Sequence, residues 1–164
     1  GQLPIYYNHF NTGRPAPNET AFNYVSAYTD LKNSPKFAFG HGLSYTSFNY
    51  SDLKLSKNKI NDSETIEVAF NLTNSGKFEG HEVVQLYLRD KVGSVVRPII
   101  ELKDFQKIHL NAGETKTVQF TIDKEKLAFY NEQLEWNSEA GEFDLMIGTS
   151  SSDIRLKTTF ELVK

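Results

Sequence analysis

From residue 48 onward, apolar and polar residues alternate with a period of two, in runs too short for helices and too regular for loops. Residues 65–73 place Ile66, Val68, Phe70 and Leu72 on one side and Glu67, Ala69 and Asn71 on the other. Residues 116–122 set Val118, Phe120 and Ile122 against Thr117, Gln119 and Thr121, and residues 141–148 set Phe143, Leu145 and Ile147 against Glu142, Asp144 and Met146. Each pattern predicts a half-buried strand with one face on a core and the other toward water. The run Val83, Val84, Leu86, Tyr87 and Leu88 is too apolar for that and predicts a central strand covered on both faces. Together with extended stretches at 48–55, 99–110 and 154–162, these make seven strands, with turn chemistry between them at 90–93 and 111–113.

One interruption has a different character. Asp123 followed by Lys-Glu-Lys-Leu-Ala predicts an N-capped helical turn crossing between sheets, and Trp136, the only tryptophan, is expected to plug the core behind it. Seven short strands with turns between them predict an all-β fold, a two-sheet immunoglobulin/fibronectin type III-like sandwich. Residues 1–47 lack the alternation. They hold a short extended run at Leu3, Ile5 and Tyr7, the loop-rich NTGRPAPNET and a Pro/Gly-rich passage at 33–42, and residues 21–31 suit either a helical turn or an extended arm. The expected organisation is therefore an irregular N-terminal arm over 1–47 and a sandwich over 48–164 that folds on its own core.

At 164 residues the chain suits one sizeable core. The 12 Phe and 8 Tyr favour strands. The net charge of −3 divides into three basic against two acidic residues before Phe48 and fifteen against nineteen from there on. Neither part carries the clustered Lys and Arg of a nucleic-acid surface. Without cysteine there is neither a disulfide framework nor a thiolate metal site. No apolar run approaches a membrane span, and the opening GQLPIYY has no leader-like pattern, so an export signal is expected upstream if there is one.

EVVQLYLRD, SVVRP, ELKDFQKIHL, AGETKTVQF and KEKLAFYN, in this order and spacing, resemble the fibronectin type III-like domain that ends many glycoside hydrolase family 3 enzymes. The upstream PIYYNHFNTGRP and FAFGHGLSYTSF resemble the segment joining that domain to the preceding α/β sandwich domain, in the manner of periplasmic β-glucosidases. The resemblance implies that residues 1–47 are the end of that preceding domain with its linker. It implies a longer parent that hydrolyses terminal β-linked glucosyl residues from oligosaccharides with retention, through a covalent glycosyl-enzyme intermediate and without a cofactor, in the periplasm or outside the cell. The parent's nucleophilic Asp and acid/base Glu belong to upstream segments, so no catalytic residue carries over to these positions. The implied partners are the upstream catalytic domains of the same chain, with oligosaccharide met only through them, and neither nucleic acid nor membrane. The competing reading is an independent carbohydrate-binding or adhesion sandwich, which the fold alone does not exclude.

A glycosidase needs two carboxyl groups converging across a sugar, and the pairs on offer are Glu142 with Asp144, Glu79 with Glu82, and Glu101 with Asp104. All three read as solvated strand surface. His9, His41, His81 and His109 are scattered and never fall at i, i+4 spacing with a Glu, so no metal site is expected. Gly40-His41-Gly42 lacks the rest of a nucleotide loop and predicts a tight bend between Phe39 and Leu43. Sequons stand at Asn18, Asn49, Asn61 and Asn71 and weigh little for glycosylation. Tyr6, Tyr7, Phe10, Phe22, Tyr24 and Tyr28 crowd the arm; they suit a surface that docks on the neighbouring domain better than a sugar platform. Without that neighbour the arm is expected to lie partly on the sandwich, move, or pair with a second copy.

Overall fold

The alternating segments become strands close to where the pattern puts them. The computed structural model describes residues 6–11, 13–18 and 24–164. In chain order the elements are β1 Phe48–Leu55, β2 Lys59–Asn61, β3 Ile66–Asn74, β4 Gly80–Asp90, β5 Glu101–Leu110, β6 Thr115–Ile122, α1 Lys124–Leu127, β7 Phe129–Tyr130, β8 Trp136–Asn137, β9 Gly141–Ser150 and β10 Asp153–Val163. A three-stranded sheet in the order β1-β3-β6 faces a five-stranded sheet in the order β2-β10-β9-β4-β5, and β7 with β8 forms a small hairpin. All pairs are antiparallel except β2 with β10. The seven expected strands are all present, so the fold is the expected all-β sandwich.

Between the sheets lie the residues that the alternation turns inward. Ile66, Val68, Phe70 and Leu72 of β3 and Val118, Phe120 and Ile122 of β6 meet Val84, Leu86 and Leu88 of β4 and Phe143, Leu145 and Ile147 of β9. Tyr50, Phe70 and Phe120 stack in sequence across the smaller sheet, and Phe143 stacks on Phe160 across the larger. Burying each large side chain stabilises the fold by about 1.5–3 kcal/mol. In β1 the register shifts between Ser51 and Lys54, where Asp52 takes φ 57 and its carboxylate accepts from Ser51 Oγ (2.8 Å) and Asn71 Nδ2 (3.0 Å). Asp123 caps α1 as expected, its Oδ1 accepting from the Lys126 amide at 3.0 Å, and α1 leads from the smaller sheet toward β9 of the larger.

Several expectations are corrected. Trp136 does not plug the core: it is 51% exposed, lies edge-on to Tyr130 in the β7–β8 hairpin, and donates Nε1–H to Glu125 at 3.1 Å. A two-residue strand outside both sheets cannot reach between them. Met146 and Asp144 do not face water, because the outer face of the larger sheet is itself covered. There Tyr87, Ile100 and Met146 form a second apolar cluster with Tyr7, Ile99, Leu102 and Ile154. Val83 is exposed, so the doubly covered stretch begins at Val84. Residues 24–31 contain no helix; Ser26 makes an isolated bridge to Pro15. The expected run at Leu3 and Ile5, the residue Phe22, and the start of the 21–31 segment lie outside the described residues.

Candidate functional site

The feature with the most chemistry is the place where the arm crosses the end of the larger sheet. Tyr7 stacks on Phe39 at 4.1 Å between centroids and meets Tyr87 edge-on at 6.3 Å, while its hydroxyl accepts from the Leu102 amide at 3.2 Å. Phe39 O accepts from the Ser151 amide at 2.9 Å. Gln85, a buried amide within the apolar run of β4, then ties three segments together. Its Nε2 donates to Thr149 O at 2.6 Å and to Gly40 O at 3.3 Å, and its Oε1 accepts the Tyr87 hydroxyl. The approach needs glycine, since Gly40 has φ +80 and a Cβ there would stand 2.2 Å from Gln85 Oε1. The bend that the GHG sequence predicts is this turn, closed by the His41 amide on Ala38 O at 3.0 Å.

Further along, Asn74 at the end of β3 holds the arm's exit. Its side chain is fully buried and makes four bonds: Nδ2 to Phe78 O (2.8 Å) and Leu110 O (3.2 Å), and Oδ1 from Thr46 Oγ1 (2.6 Å) and the Gly76 amide (3.1 Å). Between these two ties a cleft of about 750 Å³ opens, walled by Gly40, Leu43 and Thr46 on one side and Val83 and Phe105 on the other. At its end Tyr50 donates its hydroxyl to Glu82 Oε1 at 2.8 Å. Burial lifts the Glu82 carboxyl above its ordinary range although the Tyr50 bond opposes this, and burial together with Glu82 lifts the Tyr50 hydroxyl far more. Arg155 beside them is committed to Asp153 at 2.7 Å, which holds the Asp153 carboxyl low.

The candidate carboxylate pairs are not brought together as acid and base. Glu142 and Asp144 share Lys91, at 2.6 and 3.5 Å, and Asp144 also meets Lys157 at 3.4 Å. Glu79 lies 3.5 Å from His109 while Glu82 turns to Tyr50. Glu101 pairs with Arg97 at 2.9 Å and Asp104 with Lys126 at 2.8 Å. His81 and His109 face each other across β4 and β5, His41 packs on Phe37, and His9 is exposed with Nδ1 against Phe10 O. Among the described residues no three His, Asp or Glu side chains are arranged to hold a metal ion, and no helix is long and apolar enough to cross a membrane. Of the sequons, Asn49 and Asn61 are exposed and Asn71 is engaged with Asp52 and Thr117. Sequence reasoning missed Gln85 and Asn74. The one available signal was a polar amide inside, or at the end of, an otherwise apolar strand.

A sandwich with this strand order and an arm laid on its outer face defines the class, and comparison bears it out: the fibronectin type III-like domain family matches residues 82–151. The chain belongs with the fibronectin type III-like region of glycoside hydrolase family 3 β-glucosidases. It is 44% identical over 163 residues to a periplasmic β-glucosidase of Salmonella typhimurium, covering 99% of this chain and 21% of that protein. It is 52% identical over 132 residues to thermostable β-glucosidase B of Acetivibrio thermocellus, covering 79% and 18%. The crystal structure of a Listeria innocua β-glucosidase in complex with glucose superposes with a TM-score of 0.89 at 41% identity, over 99% of this chain and 22% of that one. The chain thus spans about a fifth of the length of the curated relatives it matches.

Proposed function

We propose that this chain is the non-catalytic, C-terminal structural module of a β-glucosidase-like parent that removes terminal β-linked glucosyl residues from oligosaccharides in the periplasm or outside the cell. In this reading residues 1–47 are the end of the preceding domain and its linker, residues 48–164 are the module, and the catalytic carboxylates lie in the upstream domains. The observation that carries it is the partnering of the carboxylates. Each of the three candidate pairs is held by lysine, arginine, histidine or tyrosine, so none stands as a free acid opposite a free base. A retaining glycosidase needs its two carboxyl groups about 5–5.5 Å apart across the scissile bond with one kept protonated. Lys91 works against this at Glu142 and Asp144, since its ammonium contacts both carboxylates, at 2.6 and 3.5 Å.

The test is hydrolysis of chromogenic β-glucosides and β-xylosides by the purified chain at high concentration, beside the longer polypeptide encoded by the same reading frame. No turnover is expected from the chain and turnover is expected from the longer form. Activity in the chain that survives repurification and disappears in Glu142→Gln or Asp144→Asn sinks the reading. Cell fractionation of the longer form tests its compartment.

A further inference from the structure

The β7–β8 hairpin carries an aromatic corner that the sandwich core does not use. Tyr130 and Trp136 are direct cross-strand partners, their rings edge-on at 5.1 Å between centroids. Tyr130 is 63% exposed and Trp136 51%. The two rings are nevertheless held in place from three sides. Asn131 closes the turn: its Oδ1 accepts the amides of Gln133 and Glu135, each at 3.0 Å, and its own amide donates to Glu135 O at 3.1 Å. Phe129, next to Tyr130, is buried under the Arg97 guanidinium at 4.0 Å. From α1, Glu125 Oε2 accepts Trp136 Nε1–H at 3.1 Å.

Polar atoms stand free around this corner. Among the described residues nothing bonds the Tyr130 hydroxyl or the second Glu125 oxygen, Oε1. The two lysines of α1 are already engaged, Lys124 with Asp62 at 3.4 Å and Lys126 with Asp104 at 2.8 Å, so Glu125 and the exposed Glu132 and Glu135 set the local charge. An anionic ligand is repelled by such a surface. An organic cation is attracted, but its gain over an aromatic face grows with desolvation, and two walls open to water supply little of that. A neutral pyranose suits the corner best. Its C–H face covers the indole, and its rim hydroxyls meet a phenol that donates or accepts and a carboxylate oxygen that accepts.

We propose that Trp136, Tyr130 and Glu125 form a surface site for a neutral β-linked glucan chain, with one glucosyl ring stacked on the indole. The choice of β-glucan among neutral sugars rests on the parent proposed above. Oligosaccharide is then met by this module directly and not only through the upstream domains. Because the turn, Phe129 and Glu125 fix the rings before binding, little side-chain freedom is lost when the sugar lands.

Trp136 is the only tryptophan, so the indole fluorescence of the chain reports this site. Titration with cellohexaose should change the emission saturably, while choline chloride and oligogalacturonate should not. Tyr130→Ala and Glu125→Gln change exposed side chains, so the thermal midpoint should hold while the apparent Kd for cellohexaose rises at least about fivefold in each. Tyr24→Ala with Tyr45→Ala, which removes two exposed tyrosines of the arm, should leave the titration unchanged. No emission change with cellohexaose, or a change that survives in both hairpin variants, would overturn the proposal. So would an equal response to choline, which assigns the corner to a cation. Hydrolysis of β-glucosides by the longer polypeptide separates the two ideas. A hydrolytic parent whose module gives no shift contradicts only the sugar site, and a module that binds within a parent lacking hydrolysis contradicts only the proposed function.

Discussion

Replacing Asn74 by alanine deletes four hydrogen bonds from a side chain with no solvent exposure. The Leu110 carbonyl sits beside a fully buried residue and has no water to turn to, so its loss carries the full cost of an unsatisfied buried group, about 1–3 kcal/mol. The Phe78 carbonyl, the Gly76 amide and the Thr46 hydroxyl are nearer the surface and can be partly rehydrated, each at about 0.5–1 kcal/mol. A loss of about 3–4 kcal/mol follows, against a typical total of about 5–15 kcal/mol. Urea denaturation of the chain should show it as a midpoint lower by about 1–2 M at unchanged slope. Asn74→Asp sharpens the test. It keeps the acceptor toward Thr46 and Gly76 but turns a carboxylate on the carbonyls of Phe78 and Leu110. Burial and those carbonyls raise the folded pKa of the introduced group. Stability relative to the unsubstituted chain should therefore be best below the unfolded value of about 3.9 and fall as pH rises through the folded one. An alanine variant within about 0.3 M of the original midpoint, or an aspartate variant indifferent to pH, would refute the reasoning.

Three further outcomes are expected. Glu82 has its folded pKa raised by burial, so its contribution is complete below about pH 4.3 and is lost as pH rises through the folded value; Glu82→Gln, which still accepts from Tyr50, should gain on the unsubstituted chain between pH 4 and 7, and a pH-independent difference would count against it. Gly40→Ala forces a Cβ onto a left-handed backbone and against Gln85, which should cost about 1–2 kcal/mol and speed exchange of the Ser151 amide; unaltered exchange there would show that the arm is not tied at this point. Trp136→Ala should cost less than about 1 kcal/mol, whereas Phe143→Ala in the core should cost about 3–5 kcal/mol, both read by chemical denaturation.

The alternation at residues 66–72, 118–122 and 143–147 was legible because strand periodicity is local, and it placed the sandwich core residue by residue. The helical turn was legible for the same reason, since a cap needs only Asp123 and the amide three residues on. What covers a strand's second face is not local. Met146 and Asp144 read as solvent-facing because nothing in β9 announces that Tyr7 and the neighbours of Tyr87 lie above that sheet, or that Lys91 and Lys157 close over the carboxylate. β2 escaped notice because its one buried residue, Ile60, shows no period. Trp136 was misplaced by reasoning from size alone, without the two-residue hairpin that holds it outside. The candidate carboxylates were legible as a list, but their partners were not: which cation each one meets depends on pairings across β4, β5, α1 and β9.

The kink in β1 and the brevity of β2 have a consequence for crowded solutions. These two strands form one outer edge of each sheet. A sheet edge offers unpaired amides and carbonyls on which a foreign strand can grow, the first step toward fibrous aggregates. Asp52 in its left-handed conformation breaks the flat run of β1, and β2 presents only three residues, flanked by Lys57 and bearing Lys59. Neither edge can template a long incoming segment. At these two edges, encounters between copies should then be governed by side chains rather than by strand addition, and remain reversible.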